Sequence, residues 1–128
     1  MSPKAPTPTP AELEILQELW GSGGKTVRAV HDAIRRRRPV RYTTVLKLLQ
    51  IMIEKGLVDR DESERSHVYE AAVAEDEVQR RLVGELLDRV FDGSAATLVM
   101  QALSARPASA KELDEIRELL NRSPRRKR

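Results

Sequence analysis

Two threonines and a lysine stand on one side of a helix that the sequence predicts from about Tyr42 or Thr43. Lys47 follows Thr44 by three residues and Thr43 by four, so the three side chains share a face. Hydroxyl and ammonium groups bind phosphate oxygens and base edges, and a threonine methyl can contact thymine. The set is therefore a candidate surface for nucleic acid. The plainer interpretation is that Thr43 only caps the helix and Lys47 is an ordinary solvated lysine.

Arginines surround this candidate surface in the sequence. Arg41 and Tyr42 come just before or at the amide-rich start of the helix, where a phosphate can bind, although Tyr42 can instead pack under a neighbouring hairpin. Arg60 and Arg65 flank a polar turn and are candidates for contact with the DNA backbone or minor groove, or for simple solvation. Residues 35–38 are four arginines that complement a helix dipole. We expect most of that run to be solvated, with one or two arginines available to phosphates.

No pattern of catalysis or metal binding accompanies these residues. His31 and His67 are the only histidines in the sequence, and they lie on different predicted elements without ligand spacing. No serine or carboxylate is paired with a base in a recognisable motif, and no glycine-rich phosphate loop occurs. The chain has no cysteine, which excludes a disulfide scaffold, a thiolate zinc site and a thiol redox switch. We therefore expect no metal, no cofactor and no enzymatic activity.

Three short helices and a hairpin are predicted to position the candidate surface. Residues 9–12, Thr-Pro-Ala-Glu, form a capping box that opens the first helix, and residues 21–24 end it. Thr26 caps a second helix, which runs through the four arginines and stops at Pro39. The third helix ends in a left-handed cap at Lys55 and Gly56. Residues 57–60 and 67–70 alternate as strands around a polar turn. This order is that of a winged helix-turn-helix domain, which we place at residues 9–73, after a proline-rich disordered arm at residues 1–8.

A long helical pattern resumes at residue 74 with an unusually broad apolar face. Its two adjacent stripes are wider than one small domain can cover, so we predict burial in a homodimer. The residues assigned to that interface are Val78, Leu82, Leu86, Leu87, Val90 and Phe91.

Two further helices are predicted after this one. Residues 92–94 break the long helix, residues 95–103 form a short apolar helix, and a second capping box at residues 109–112 opens the last one. We expect Leu113, Ile116, Leu119 and Leu120 to face inward there. The predicted fold is mainly α with a small β-hairpin: the winged domain, a helical dimerisation domain at residues 74–122 and a basic tail at residues 123–128.

Charge is distributed unevenly along the chain. Residues 25–67 contain eleven Lys and Arg against six Asp and Glu, whereas residues 70–122 contain seven against eleven. A basic domain beside an acidic one is typical of proteins that neutralise phosphates. The N-terminus lacks the apolar core of a signal peptide, and no apolar run reaches the roughly 20 residues of a membrane span. We therefore expect a soluble, cytoplasmic protein without membrane insertion.

Five stretches occur in the order found in one family of bacterial regulators. They are residues 9–20, which begin Thr-Pro-Ala-Glu-Leu-Glu-Ile-Leu and end at Trp20, then residues 42–45, residues 54–58, Val68 with Tyr69, and residues 87–94. On these stretches the chain resembles the penicillinase-repressor family (BlaI/MecI/CopY) over about residues 7–122. The resemblance implies a homodimer that represses transcription on double-stranded operator DNA with dyad symmetry. It also implies that repression is relieved through a partner membrane sensor protease.

The chain departs from this family at several positions. The copper-sensing branch needs a C-terminal cysteine cluster, which is absent here, so thiolate copper sensing is excluded. The β-lactam-responsive branch is cleaved at an Asn-Phe pair, where this chain has Gln101 and Ala102. Leu46 and Ile51 stand where many relatives carry basic residues.

Two other functions compete with operator binding. A winged helix can be a protein-interaction module that never touches DNA, and affinity that falls with salt separates the two. A regulator that senses a small molecule in its second half is the third hypothesis. The few aromatic and convergent polar residues in that half argue against a ligand pocket.

Overall fold

A computed structural model of the chain describes residues 6–122. The chain divides into two compact units after Val83. The first unit contains three helices and a small sheet, and the second contains two whole helices. Helix α4 (Glu75–Arg89) begins in the first unit and ends in the second. No helix of residues 6–122 combines the length and the apolar character that crossing a bilayer requires.

Helix α1 (Pro10–Trp20) begins with the capping box that the sequence predicts. The Glu12 amide donates to Thr9 Oγ1 at 3.2 Å, and the Thr9 amide donates to Glu12 Oε1 at 2.9 Å. Pro10 at the first helical position loses no hydrogen bond, because that amide would have no partner. The predicted disordered arm is wrong at Pro8, which is buried next to this cap. Residues 1–5 of the arm and the basic tail lie outside the described residues.

Helices α2 (Val27–Arg35) and α3 (Tyr42–Glu54) form the helix-turn-helix. Thr26 caps α2 as predicted, since its hydroxyl accepts from the Ala29 amide at 3.2 Å. The sequence predicts that α2 continues through the arginines to Pro39, and this is wrong. Helix α2 ends at Arg35, and residues 36–41 connect it to α3. The end of α3 is a Schellman cap. Gly56 has φ of 79°, and the amides of Gly56 and Leu57 donate to the carbonyls of Ile53 and Met52.

The sheet has three strands, one more than the sequence predicts. Strands β2 (Val58–Asp61) and β3 (Val68–Ala71) form the expected hairpin, each about one residue later than predicted. Strand β1 (Lys25–Thr26) adds antiparallel to the other side of β3, which gives the order β1-β3-β2. Two residues are too few to produce an alternating pattern, so this strand could not be predicted from the sequence.

The core of the first unit lies between the three helices and the sheet, and it is almost wholly aliphatic. Its buried members are Ile15, Leu16, Leu19, Val27, Val30, Ile34, Val45, Leu49, Met52, Leu57, Val58 and Tyr69. Trp20 packs at the edge of this cluster, and its indole nitrogen donates to the Val73 carbonyl at 2.9 Å. The buried side of α3 fixes which of its residues face outward.

The second unit contains α5 (Ala95–Ala105) and α6 (Ala110–Arg122). The break after α4 uses left-handed backbone at Asp92 and Gly93, with φ of 50° and 79°. The capping box before α6 is confirmed, because Ser109 and Glu112 exchange hydrogen bonds of 3.0 and 3.1 Å. The inward placement of the last two leucines is wrong for a single chain, since Leu119 and Leu120 are exposed.

Candidate nucleic-acid interface

The first turns of α3 present the predicted candidate surface to solvent. Arg41, Tyr42, Thr43, Thr44 and Lys47 are all exposed, because Val45 and Leu49 take the buried side of the helix. The backbone N-cap is Arg41, so the interpretation of Thr43 as the cap is wrong. Within residues 6–122, neither Arg41 nor Lys47 forms an ion pair, so both charges are available to a ligand.

Tyr42 stands at the start of α3 against the side of α2. Its ring meets the His31 imidazole edge-on, with centroids 5.7 Å apart and planes at 84°. The second His31 contact is a 2.8 Å hydrogen bond between Nε2 and the Val40 carbonyl. Tyr42 remains about half exposed, so it is not packed away under the hairpin. His31 therefore has a structural role, and no metal-binding cluster occurs among the residues that the structure describes.

A groove of about 500 Å³ lies between the starts of α2 and α3 and the turn of the hairpin. It brings together residues from three elements that are distant in sequence. Its walls contain two arginines, one histidine and several hydroxyl groups, and they contain no carboxylate. The lining residues are Thr26, Val27, Arg28, Tyr42, Leu46, Arg65, Ser66, His67 and Tyr69. A concave, cationic surface without acidic residues is suited to a phosphate.

Arg28 is the residue of this groove that sequence reasoning missed. It is the second residue of α2, it is exposed, and it forms no ion pair with another described residue. It also lines a neighbouring hollow of about 570 Å³ together with His31, Asp32, Arg35 and Tyr42. A cation near a helix N-terminus opposes the helix dipole and contributes nothing to helix stability. That mismatch was a readable signal that Arg28 serves another purpose.

The two arginines of the hairpin differ in their surroundings. Arg65 lines the groove and forms no ion pair within the described part of the chain. Arg60 lies outside the groove lining and forms an ion pair with Glu62, with Nη2 2.8 Å from Oε2. Hydrogen bonding to Tyr69, and then to Glu62, raises the pKa of Arg60 above its usual value. Arg60 must break its ion pair with Glu62 before it can bind a DNA phosphate, whereas Arg65 has no ion pair to break within the described residues.

All four arginines of residues 35–38 are exposed, as the sequence predicts, and two of them are also held in ion pairs. Arg37 and Arg38 form these ion pairs with two glutamates of α1. Arg37 reaches Glu18 at 2.8 Å, and Arg38 reaches Glu14 at 2.6 Å. These partners could not be predicted from local patterns, because they lie 19 and 24 residues away in the chain.

The candidate dimerisation residues divide into a buried and an exposed group. Val78 is only 3% exposed within the first unit, so it belongs to the core of the single chain and not to an interface. Leu82, Leu87 and Phe91 are partly buried, whereas Leu86 and Val90 are 45% and 64% exposed. In the second unit Val99, Met100, Leu119 and Leu120 add to the exposed apolar surface, although sequence reasoning did not assign them to it.

Comparisons with known proteins agree with this geometry. Residues 8–122 match the sequence model of the family described as penicillinase repressor. The penicillinase repressor of Staphylococcus aureus is 22% identical over 111 residues, which are 87% of this chain and 88% of that protein. The transcriptional regulator BlaI of Mycobacterium tuberculosis is 31% identical over 110 residues, or 85% of this chain and 79% of that protein.

Solved structures of similar fold include the DNA-binding domain of a repressor. The DNA-binding domain of the repressor BlaI superposes with a TM-score of 0.53 at 22% identity, over 59% of this chain and 93% of that one. RosR of H. salinarum gives 0.53 at 17% identity, over 92% of this chain and 94% of that one. These likenesses establish a mainly α winged-helix fold, as predicted. The relatives are regulators of transcription and not enzymes, and the chain belongs to the penicillinase repressor family of transcriptional repressors.

Proposed function

We propose that the chain represses transcription by binding double-stranded operator DNA through the first turns of α3 and the groove beside them. In this proposal Thr43, Thr44 and Lys47 read the major groove, and Arg28 and Arg65 hold the flanking phosphates. The observation that carries the proposal is the groove itself, which collects cations from α2 and the hairpin beside Tyr42 without any carboxylate. The structure of Bacillus licheniformis BlaI with the blaP half-operator, at a TM-score of 0.51, supports the same use of the fold.

The chemistry of these side chains fits the proposed division of labour. Lys47 and the two threonine hydroxyls can bond base edges, which distinguish sequences. Arg41 stands at the N-cap of α3, and Arg28 stands at the start of α2, so both are placed to neutralise the DNA backbone. Leu46 adds an apolar side chain to the lining of the groove that contains Arg28.

We also propose that the operator-bound form is a cytoplasmic homodimer. The exposed apolar residues of α4, α5 and α6 support this, since monomeric proteins seldom expose many large apolar side chains together. The exposed part of the predicted interface, Leu86 and Val90, is its proposed centre, and Leu82, Leu87 and Phe91 flank it. A two-fold dimer presents two copies of α3 and therefore favours an operator with dyad symmetry.

Release through a membrane sensor protease is the last part of the proposal, and family membership supports it. Gln101 and Ala102 replace the Asn-Phe pair, and both are exposed in the middle of α5. A scission there would cut the surface that we assign to the dimer. Mass analysis of the chain from induced cells should find one fragment that ends at Gln101 and a second that begins at Ala102. Operator release with an intact chain would contradict proteolytic release.

Selection from genomic DNA fragments tests the proposed function. The native chain should enrich sites with dyad symmetry, and Lys47→Ala should lose that enrichment while remaining folded. Lys111→Ala, which removes an exposed lysine of α6, is the matched control and should select the same sites. Selection of no DNA by the native chain would favour the alternative of a protein-interaction module.

A further inference from the structure

Two carboxylates on one side of α1 hold the turn between α2 and α3. Glu14 and Glu18 are four residues apart, so they share a helix face. Glu14 uses both oxygens: Oε1 accepts from Arg38 at 2.6 Å and Oε2 accepts from Arg37 at 3.2 Å. Arg37 also donates to Glu18 Oε2 at 2.8 Å, which makes it a bridge between the two glutamates. We call these four residues the turn clamp.

The turn clamp is charge-assisted and partly shielded from water. The Glu14 and Glu18 side chains are about one-fifth exposed, whereas the two arginines are about half exposed. Hydrogen bonding from Arg38 lowers the pKa of Glu14, and hydrogen bonding from Arg37 lowers the pKa of Glu18. Lys25 of β1 adds a third cation, with Nζ 3.1 Å from Glu18 Oε1. Both carboxylates are therefore ionised and fully engaged at neutral pH.

The clamped turn leads directly into α3. Arg37 and Arg38 are followed by Val40, whose carbonyl is held by His31, and then by Arg41, the N-cap of α3. The turn is thus tied to α1 at one end and to α2 at the other. Helix α1 is itself anchored in the core through Ile15 and Leu16, so it provides a fixed support.

We infer that Glu14 and Glu18 are positioning residues for DNA binding, which set the direction of the start of α3 through Arg37 and Arg38. The inference rests on the proposed function, since it concerns how well α3 fits an operator. The guanidinium groups of Arg37 and Arg38 point at carboxylates and are withheld from DNA. Exposed ion pairs add little to folding stability, but a binding surface must be held to within about half an ångström. The clamp therefore affects DNA binding more than it affects folding.

Operator affinity of Glu14→Gln, Glu18→Gln and the double variant tests this inference. Each single change should weaken operator binding by about three- to tenfold at constant salt, while the melting temperature stays close to that of the native chain. Arg38→Gln should weaken binding to the same extent. Glu14→Gln combined with Arg38→Gln should bind no more weakly than Glu14→Gln alone, because Glu14→Gln already removes the charged partner of Arg38.

Other outcomes overturn the inference. Tighter DNA binding by Glu14→Gln would mean that the freed arginines contact DNA themselves, and fully additive losses would mean that Arg38 acts independently of Glu14. Unchanged affinity in the folded double variant would limit the clamp to a structural role. Asp76→Asn breaks an exposed ion pair with Arg80 on α4 with the same charge change, and it should leave affinity unaltered. Failure of the proposed function itself is distinguishable, because the native chain would then select no operator.

Discussion

The Lys55 ammonium lies 2.7 Å from the Glu12 carboxylate and joins the residue that ends α3 to the first turn of α1. Glu12 is only 2% exposed, and it serves two partners, since its other oxygen accepts from the Thr9 amide. One buried carboxylate therefore fixes the start of the first helix and the end of the helix that carries the candidate surface.

Removing the charge of Glu12 should destabilise the fold. Glu12→Gln keeps the size of the side chain and an acceptor for the capping box, but it leaves Lys55 without its counter-charge. We expect the free energy of unfolding to fall by about 1–3 kcal/mol, below the range for a fully buried pair because Lys55 reaches solvent. Urea unfolding measures this change. Glu112→Gln alters the exposed capping box of α6 and should cost less than half as much.

Low pH should destabilise the protein, because the ion-paired carboxylates of α1, chiefly Glu12, then bind protons. Burial acts to raise the pKa of Glu12, but hydrogen bonds from Lys55 and Thr9 outweigh it, so the pKa lies below its ordinary value. The pKa values of Glu14 and Glu18 are also lowered, but their arginine partners are about half exposed, so we expect these ion pairs to contribute less to stability than Glu12 does. Groups with a lowered pKa stabilise the fold above their unfolded pKa, and this contribution is lost as pH falls through the folded pKa.

Unfolding midpoints in urea between pH 7 and pH 3 test this dependence. The native chain should show a constant midpoint near neutrality and a decline below about pH 4.5, where unfolded glutamates bind protons. The triple variant with glutamine at positions 12, 14 and 18 should start lower and decline less. Equal declines in both proteins would show that other carboxylates govern acid unfolding.

Substitution of the two groove arginines should weaken DNA binding more than substitution of Arg60, which is already paired with Glu62. Arg28→Ala and Arg65→Ala should each weaken DNA binding by about tenfold, similarly for operator and unrelated DNA, because phosphate contacts carry no sequence information. Arg60→Ala should have a smaller effect, since Glu62 competes for that guanidinium. Fluorescence anisotropy with labelled duplexes measures all three. Arg106→Ala, an exposed arginine of the second unit, is the control, and an equal loss there would reduce the effect to net charge.

A charge on the exposed apolar side of α4 should break the proposed dimer. Leu86→Glu places a carboxylate where a partner chain would bury leucine, which is unfavourable without a counter-charge. Sedimentation velocity should then show monomers, and operator affinity should fall because only one α3 binds. Gln79→Glu adds the same charge at an exposed polar position of the same helix and should leave the dimer intact. A dimeric Leu86→Glu chain would remove this part of α4 from the interface.

Local signals in the sequence were sufficient for most of the fold. The capping boxes at Thr9 and Ser109 and the left-handed cap at Gly56 each depend on residues within a few positions, so each could be read directly. Exposure along α3 was also predictable, because a helix has a fixed period.

Features that depend on residues far apart in the chain could not be predicted from the sequence. Strand β1 exists only because β3 pairs with it, and Arg37 and Arg38 are held by glutamates from another helix. Val78 was wrongly assigned to the dimer interface, because an apolar stripe does not show which of its residues are already buried within the single chain. Arg28 was readable in principle, as a cation at a helix N-terminus, but its place beside Arg65 required the tertiary structure.

Operator affinity as a function of salt concentration tests the central claim most directly. Arg28, Arg41 and Arg65 are the three cations in each chain that we assign to phosphates, and a dimer presents six. If these cations neutralise phosphates, the logarithm of the association constant should fall against the logarithm of salt concentration with a slope of about −5, from about 0.9 for each phosphate. A slope near zero would contradict the account, because a surface that binds no phosphates releases no counterions.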